Sequence, residues 1–368
     1  MIQLSEKSKQ TVDACRFCWM CRHLCPIGNA TGQERNTARA RALSLSMVKR
    51  GSAELKDDIV DNVYECALCG GCTADCATGW DPVKFTKEAR LSAALDGNMP
   101  AYVEKLLDAH DAAGNIYGMD SYCDCLKEAI AALPEKADTL LFLGTDARYQ
   151  TPAQAKEAIT LLNKAGVSYT VLADEPDSGY AYDFLIGAAE ETRQMMTACA
   201  DALNAGGYKT VVCYDPADAK VFLREYKEYG IALNARIVTF PAYVKELIAS
   251  GKLNVKKGET VYTFQDPALL ARDLEDTDSA RAVLSACGEQ KEMLLFGKGT
   301  MLAGNLIMNT YMPGVMKLVA ENRIANALHV GAKTVVTASP AEYKLLSANA
   351  PAEELTVITL EEAVLSCL

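Results

Sequence analysis

No stretch of the 368 residues approaches 18 consecutive apolar positions, which excludes a transmembrane helix. The N-terminus lacks the basic, apolar and small-residue regions of a secretory signal, so the cytoplasm is the expected compartment and disulfides are not expected. Any membrane contact is expected through a partner. Basic residues are in deficit: 37 Lys and Arg face 48 Asp and Glu, and the net charge of −11 argues against nucleic acid as a ligand. Half the residues are hydrophobic and mean hydropathy is near zero, an ordinary globular composition with room for two or three domains.

What the chain does have is cysteine, in two runs of one pattern. The first reads Cys15-Arg-Phe-Cys18-Trp-Met-Cys21-Arg-His-Leu-Cys25-Pro26, the second Cys66-Ala-Leu-Cys69-Gly-Gly-Cys72-Thr-Ala-Asp-Cys76. Both follow C-x2-C-x2-C-x3-C, the bacterial ferredoxin spacing for [4Fe–4S] clusters. Three thiolates of one short loop wrap a single cubane, and the fourth, turned away by the longer gap and the proline, ligates the other cluster. Cys15, Cys18, Cys21 and Cys76 are thereby assigned to one cluster, and Cys66, Cys69, Cys72 and Cys25 to the second. Structural zinc wants four ligands in a closed tetrahedral site, a pattern that two identical quartets overfill.

The charge is uneven. Residues 1–52 carry nine Lys or Arg against three acids. Thiolate-ligated cubanes are anionic sites that nearby cations compensate; an acidic docking partner or a solvated helix face over Arg35–Arg50 fits the same excess. Phe17 and Trp19 flank the first motif and are expected to shield it from water. His23 is a candidate imidazole, but the cysteine quartets are complete without it.

Residues 35–50, 54–65 and 84–95 read as short helices, with Gly51 and Gly97 where helices stop. Residues 1–97 thus form an expected α-helical, ferredoxin-like two-cluster domain, and 98–136 a helical connector. Beyond it, apolar β-rich runs alternate with amphipathic helices: 139–143, 168–172, 209–213 and 236–240, then 260–264, 292–296, 333–337 and 355–359. That rhythm predicts parallel sheet with crossover helices. The second four repeat the first at offsets of 121, 124, 124 and 119 residues, and Lys209-Thr-Val-Val matches Lys333-Thr-Val-Val, each with a Pro-Ala-acid shortly after. The fold class is therefore a helical two-cluster domain followed by a duplicated α/β module, with lobes at 137–250 and 251–368. Ligand sites in such sheets lie beyond the carboxyl ends of strands, so the loops 173–180, 213–219, 265–272, 296–304 and 337–343 are expected to share a crevice.

Two such motifs followed by a duplicated α/β module resemble the family of the glycolate oxidase iron–sulfur subunit and the heterodisulfide reductase D subunit throughout the chain. In that family each lobe carries Cys-Cys-Gly and further cysteines at these strand ends, where heterodisulfide reductases hold unusual clusters. Here the corresponding segments read Asp177-Ser178-Gly179, Asp215-Pro216-Ala217-Asp218, Asp266-Pro267-Ala268, Leu295-Phe296-Gly297 and Ser339-Pro340-Ala341. The turn-forming glycines and prolines remain and the thiolates are gone, so no third cluster is expected. Of the other six cysteines, Cys123 and Cys125 would diverge by about 200° on a helix, and Cys199, Cys213, Cys287 and Cys367 are single; all six read as core packing. Gly297-Lys-Gly299-Thr-Met-Leu-Ala-Gly304 fits no phosphate-binding signature and reads as a remnant turn.

The resemblance implies an iron–sulfur electron-transfer subunit of a flavin-dependent oxidoreductase complex. Its partner would be an FAD-linked 2-hydroxy-acid dehydrogenase, and electrons would pass on to a ferredoxin, an electron-transfer flavoprotein or a quinone. Exposed cluster loops suggest an anaerobic setting. The alternative is a catalytic subunit whose crevice is rebuilt with Asp177, Asp215, Asp218, Asp266 and Lys298, where carboxylates could hold Mg2+ or iron.

Overall fold

The computed structural model describes residues 2–16 and 18–368. The N-terminal region is helical, as its periodicity predicts. Helices span Glu6–Thr11, Pro26–Thr31, Ala38–Lys49, Asp57–Tyr64 and Pro82–Leu95. Ser5, Thr37 and Asp81 cap three of them with side-chain oxygens, satisfying backbone N–H groups that have no partner within the helix. Gly51 and Gly97 take left-handed φ of 74° and 66° beyond two of the ends. The inward residues Leu45, Val63, Phe85 and Ala89 are fully or almost fully buried in one cluster, each large side chain contributing on the order of 1.5–3 kcal/mol. Two connector helices follow, Ala101–Ala113 and Asp124–Ala131.

Two parallel sheets form the rest. Strands β1 (Thr139–Phe142), β2 (Thr210–Cys213) and β3 (Arg236–Thr239) pair in the order β1-β2-β3. Strands β4 (Val261–Gln265), β5 (Glu289–Gln290), β6 (Thr334–Thr337) and β7 (Thr356–Thr359) pair as β5-β4-β6-β7. Both faces are covered, so Leu140, Leu141, Val211, Val212, Val335 and Val336 are buried and the strands read as unbroken apolar runs.

Two expected strands are absent as such. Residues 168–172 contribute a single bridge, Thr170 beside Leu140, because only that residue's N–H and C=O meet β1. Residues 292–296 form no strand: the carbonyls of Leu294 and Leu295 accept from the Arg323 guanidinium, and the two-residue β5 forms the sheet edge instead. Both shortened members sit at the same place, outside the first strand of their sheet.

The regions share cores. Helix Tyr180–Ile186 packs on Pro82–Leu95, helix Pro313–His329 packs on Pro26–Thr31, and their apolar residues belong to the N-terminal cluster. Between the sheets, Phe240–Ala249 packs on Ser279–Cys287 and Pro152–Lys164 on Leu360–Leu365.

Candidate functional site

The two cysteine runs fold alike. Each has a left-handed residue in the middle of its motif, Trp19 (φ 69°) and Gly70 (φ 73°), which starts a single helical turn, Met20–His23 and Gly71–Ala74. Leu68 is also left-handed at φ 50°; its counterpart Phe17, with its expected shielding role, lies outside the described residues. The two turns pack on each other. A Cβ on Gly71 would stand 3.3 Å from the Leu24 side chain and 3.4 Å from its carbonyl, so the approach favours a residue without one.

Pro26 begins a new helix directly after the first motif, and Cys25 caps it, its Sγ accepting from Gly28 N at 3.4 Å. That turn aims Cys25 away from its own loop. Burial pushes the Cys25 thiol up to about 12, and the charges of Cys69 and Cys66 add to this. Burial likewise raises Cys21 to about 11, with Cys15, Cys18 and Cys76 as its charged neighbours. For Cys72, pushed well up by burial, the neighbours are Cys66, Cys69 and Cys25 ahead of Cys21. Cys76 is lowered instead: burial raises it, but the Thr78 hydroxyl and the backbone N–H groups of Thr78 and Trp80 outweigh that. Packed thiols that are costly to ionise alone suit a site where a cation shares their charge.

Their surroundings differ. Cys18 is exposed, and Trp19 is 47% exposed with the Arg39 guanidinium 3.7 Å and Arg22 5.2 Å from its ring. Trp19 faces solvent more than the shielding role requires. His23 lies 3.9 Å from Asp75. Arg41, expected on a solvated face, is buried and donates to Asn62 O and Asn36 O. The second loop is gripped from two sides. Arg90 donates to the carbonyls of Val63, Cys66 and Phe184, while Arg272, from the far side of the chain, donates to those of Cys69, Lys298 and Thr300.

All five loops expected at the strand ends do line one space. Ala67 and Cys69 meet Tyr180, Asp215–Ala217, Pro267–Leu269, Leu302, Gly304, Ser339 and Glu342 around a cavity of about 30 Å³. That is roughly the volume of one water in the liquid. The Gly297–Gly304 stretch offers carbonyls to Arg272 and only Gly297 N to a carboxylate, Asp266, so its polarity is the reverse of an anion cradle.

The carboxylates divide. Asp177, Asp215 and Asp218 gather at the ends of the first sheet, joined by Asp146 and Glu175. Gly144 (φ 85°) leaves no space there: a Cβ would fall 2.0 Å from Asp218 Oδ2. Burial raises Asp215 to about 8, with Asp146 adding, Asp146 and Glu175 to about 6, and Asp218 well above the carboxylate range. Two of them are held by hydroxyls: Tyr117 Oη donates to Asp146 at 2.5 Å, and Ser178 Oγ lies 2.5 Å from Asp218. Asp266 and Lys298 do not join them. Asp266 forms a two-point pair with Arg281 at 2.5 and 2.8 Å, and Lys298 reaches out to Glu275 at 2.6 Å. Among the described residues no group of three or more His, Cys, Asp or Glu converges as on a single metal ion; a cubane spreads its ligands over four irons and is not judged by that geometry.

Sequence reasoning misses Asp146, although it follows β1 at its carboxyl end and the strand-end rule reaches it. Arg90 and Arg272 carry no sequence signal, since their targets are backbone carbonyls distant in sequence. One cysteine expectation is corrected. Cys123 and Cys125 are joined by a disulfide, because the helix begins at Asp124 and Cys123 stands outside it as the cap, so the divergence of two helical positions does not apply. Cys199, Cys213 and Cys287 are buried, and Cys367 is half-buried with its Sγ 3.5 Å from Cys287 O.

Residues 11–80 match the family described as 4Fe-4S dicluster domain. Over most of its length the chain is similar to the heterodisulfide reductase D subunit of methanogens, the dihydromethanophenazine:CoB–CoM type. With that of Methanosarcina acetivorans it is 24% identical, covering 89% of this chain and 87% of the relative; with that of Methanosarcina barkeri it is 23% identical at the same coverage. Among solved structures, a hypothetical protein from Helicobacter pylori superposes with a TM-score of 0.56 at 12% identity, over 99% of this chain and 73% of that one, a likeness of fold. The resemblance read from the cysteine motifs is thus found again in relatives along most of the chain.

Proposed function

We propose, from the likeness to the heterodisulfide reductase D subunit, that the chain is a one-electron relay within a flavin-dependent oxidoreductase complex. The observation that carries this reading is the sorting of eight cysteines into two neighbourhoods. Cys15, Cys18, Cys21 and Cys76 lie together at the surface, and Cys66, Cys69, Cys72 and Cys25 lie together against the interlobe cavity. Two [4Fe–4S] clusters held there would supply one-electron transfer. The chain's own part is to fix their spacing, exclude water from the inner group, and offset their charge with Arg41, Arg90 and Arg272.

Residues 1–97 would be the cluster domain, 98–136 the connector, and 137–250 and 251–368 two copies of one α/β unit. The matching strand order, with its shortened member in the same place, supports the duplication. An FAD-linked 2-hydroxy-acid dehydrogenase would supply electrons, and a further carrier would receive them. The lobes, without thiolates at their strand ends and with a cavity of only about 30 Å³, favour scaffold over substrate site. A catalytic crevice built on all five residues Asp177, Asp215, Asp218, Asp266 and Lys298 is disfavoured, because the last two point elsewhere.

The deciding experiment is iron and sulfide analysis with EPR of the dithionite-reduced chain, prepared without oxygen. About eight irons with a spin-coupled cubane signal are expected. About four irons, or a signal unlike a cubane, would sink the two-cluster relay. Full iron content after prolonged aerobic handling would contradict the anaerobic setting.

A further inference from the structure

We infer that the face formed by Trp19, Met20 and the outer stripe of helix Ala38–Lys49 docks an acidic one-electron carrier protein. The inference rests on the relay reading, and it selects a protein rather than a quinone as the partner of the surface quartet. Trp19 and Met20 are each 47% exposed beside the exposed Cys18. The turn that carries them packs on helix Ala38–Lys49. On that helix Arg39 stacks over Trp19, and Leu43 and Met47 continue along the same face at four-residue steps, both exposed. Arg50 follows at the end of the stripe. The result is a contiguous apolar strip with guanidinium groups at both ends. Trp, Met and Arg on a surface are the residue types enriched at protein interfaces.

Charge selects the partner. Residues 1–52 hold nine of the 37 basic residues but three of the 48 acids, so the remaining chain has 28 basic residues against 45 acids. Within the basic segment the acids are engaged: Glu6 with Lys9, Asp13 with Lys49 and Glu34 with Arg39. A basic, partly apolar face on an otherwise acidic molecule steers an acidic protein to the one side where a cysteine ligand reaches the surface, and repels it elsewhere. A basic carrier would be drawn to the opposite side.

The test uses the full chain with its clusters, reduced plant-type ferredoxin as acidic probe, cytochrome c as basic probe and methyl viologen as small dye. Exchange with ferredoxin is expected to slow about tenfold between about 50 and 300 mM salt, and about tenfold at low salt in the double variant L43E/R50E. The viologen rate is expected to stay within about twofold. A ferredoxin rate indifferent to salt or to the double variant would overturn the inference. So would cytochrome c reacting as fast as ferredoxin, or a salt-sensitive homodimer that the variant dissolves. Sedimentation of ferredoxin with the chain provides a readout that needs no electron transfer. If the iron analysis fails while L43E/R50E still abolishes ferredoxin binding, the relay reading falls and the docking face stands; absence of binding in the parent chain overturns the face itself.

Discussion

The two cysteine loops share a backbone and differ in what surrounds them. The first stands at the surface, its left-handed position occupied by a half-exposed Trp19 under two arginines. The second has Gly70 at that position and is locked by Arg90 and Arg272, which neutralise carbonyls of the loop from the helical region and from the second sheet's side. One motif therefore serves two ends: a loop that can be approached, and a loop that ties three regions of the chain into one core. The same contrast recurs at the strand ends. Asp266 is paired with Arg281, whereas Asp146, Asp215 and Asp218, crowded and buried, are pushed toward the neutral acid. A nearby guanidinium, more than burial alone, sets what a buried polar group can do here.

Breaking the inner lock has the largest expected effect. Arg90→Met leaves three buried carbonyls without a donor and is expected to cost about 3–5 kcal/mol in chemical unfolding. The equivalent cut at the outer loop, Arg22→Met, is expected to cost under about 0.5 kcal/mol; equal losses in the two variants would erase the contrast. At the level of iron, Cys18→Ser and Cys69→Ser are each expected to bring about eight irons down to about four. The Cys69 variant alone is expected to lower the melting temperature as well, because its loop anchors the core.

At the strand ends the sharpening experiment is a pH series. The folded-state values of Asp215, Asp218 and Asp146 are raised, so their contribution to stability is fully present below about pH 4. It is lost as pH rises through the folded values, which reach about 8 for Asp215. Asp218→Asn cannot ionise, and it is expected to raise the melting temperature by roughly 3–6 °C at pH 8 and by little at pH 5. A gain of the same size at both values would mean that the carboxyls are already ionised in the fold. The smallest expected change is Trp19→Gly. It relieves a left-handed non-glycine residue but removes the ring from under Arg39, two terms of about 1 kcal/mol that oppose each other, so stability should move by under about 0.5 kcal/mol.

The helices at 38–49, 57–64 and 82–95 are legible in the sequence because each carries a cap or stop signal and an apolar face at helical spacing. Strands β1, β2, β3, β4, β6 and β7 are legible because they are buried on both faces and bounded by turn residues. The runs at 168–172 and 292–296 have the same composition and mislead, since whether a β-rich run becomes a strand depends on a free edge to pair with. Arg323 occupies the carbonyls of the second run. The strand-end rule places the loops around the crevice correctly, yet it does not say which acids share a cavity. Asp266 leaves the group for Arg281, a partner 15 residues on, and Asp146 enters it from a loop outside the five.

The sequence by itself determined the two cysteine loops, since thiol spacing, the proline after Cys25 and the left-handed positions are local and set their own backbone. It also determined the alternation of helix and strand, which rests on periodicity. Only the tertiary structure decided which loop faces solvent, which carboxyls are driven toward the neutral form, and that Cys123 meets Cys125 outside a helix. Exposure, desolvation and a helix's first residue depend on what packs against a segment from elsewhere in the chain. Arg272 reaching the carbonyl of Cys69 across 203 residues is the clearest instance.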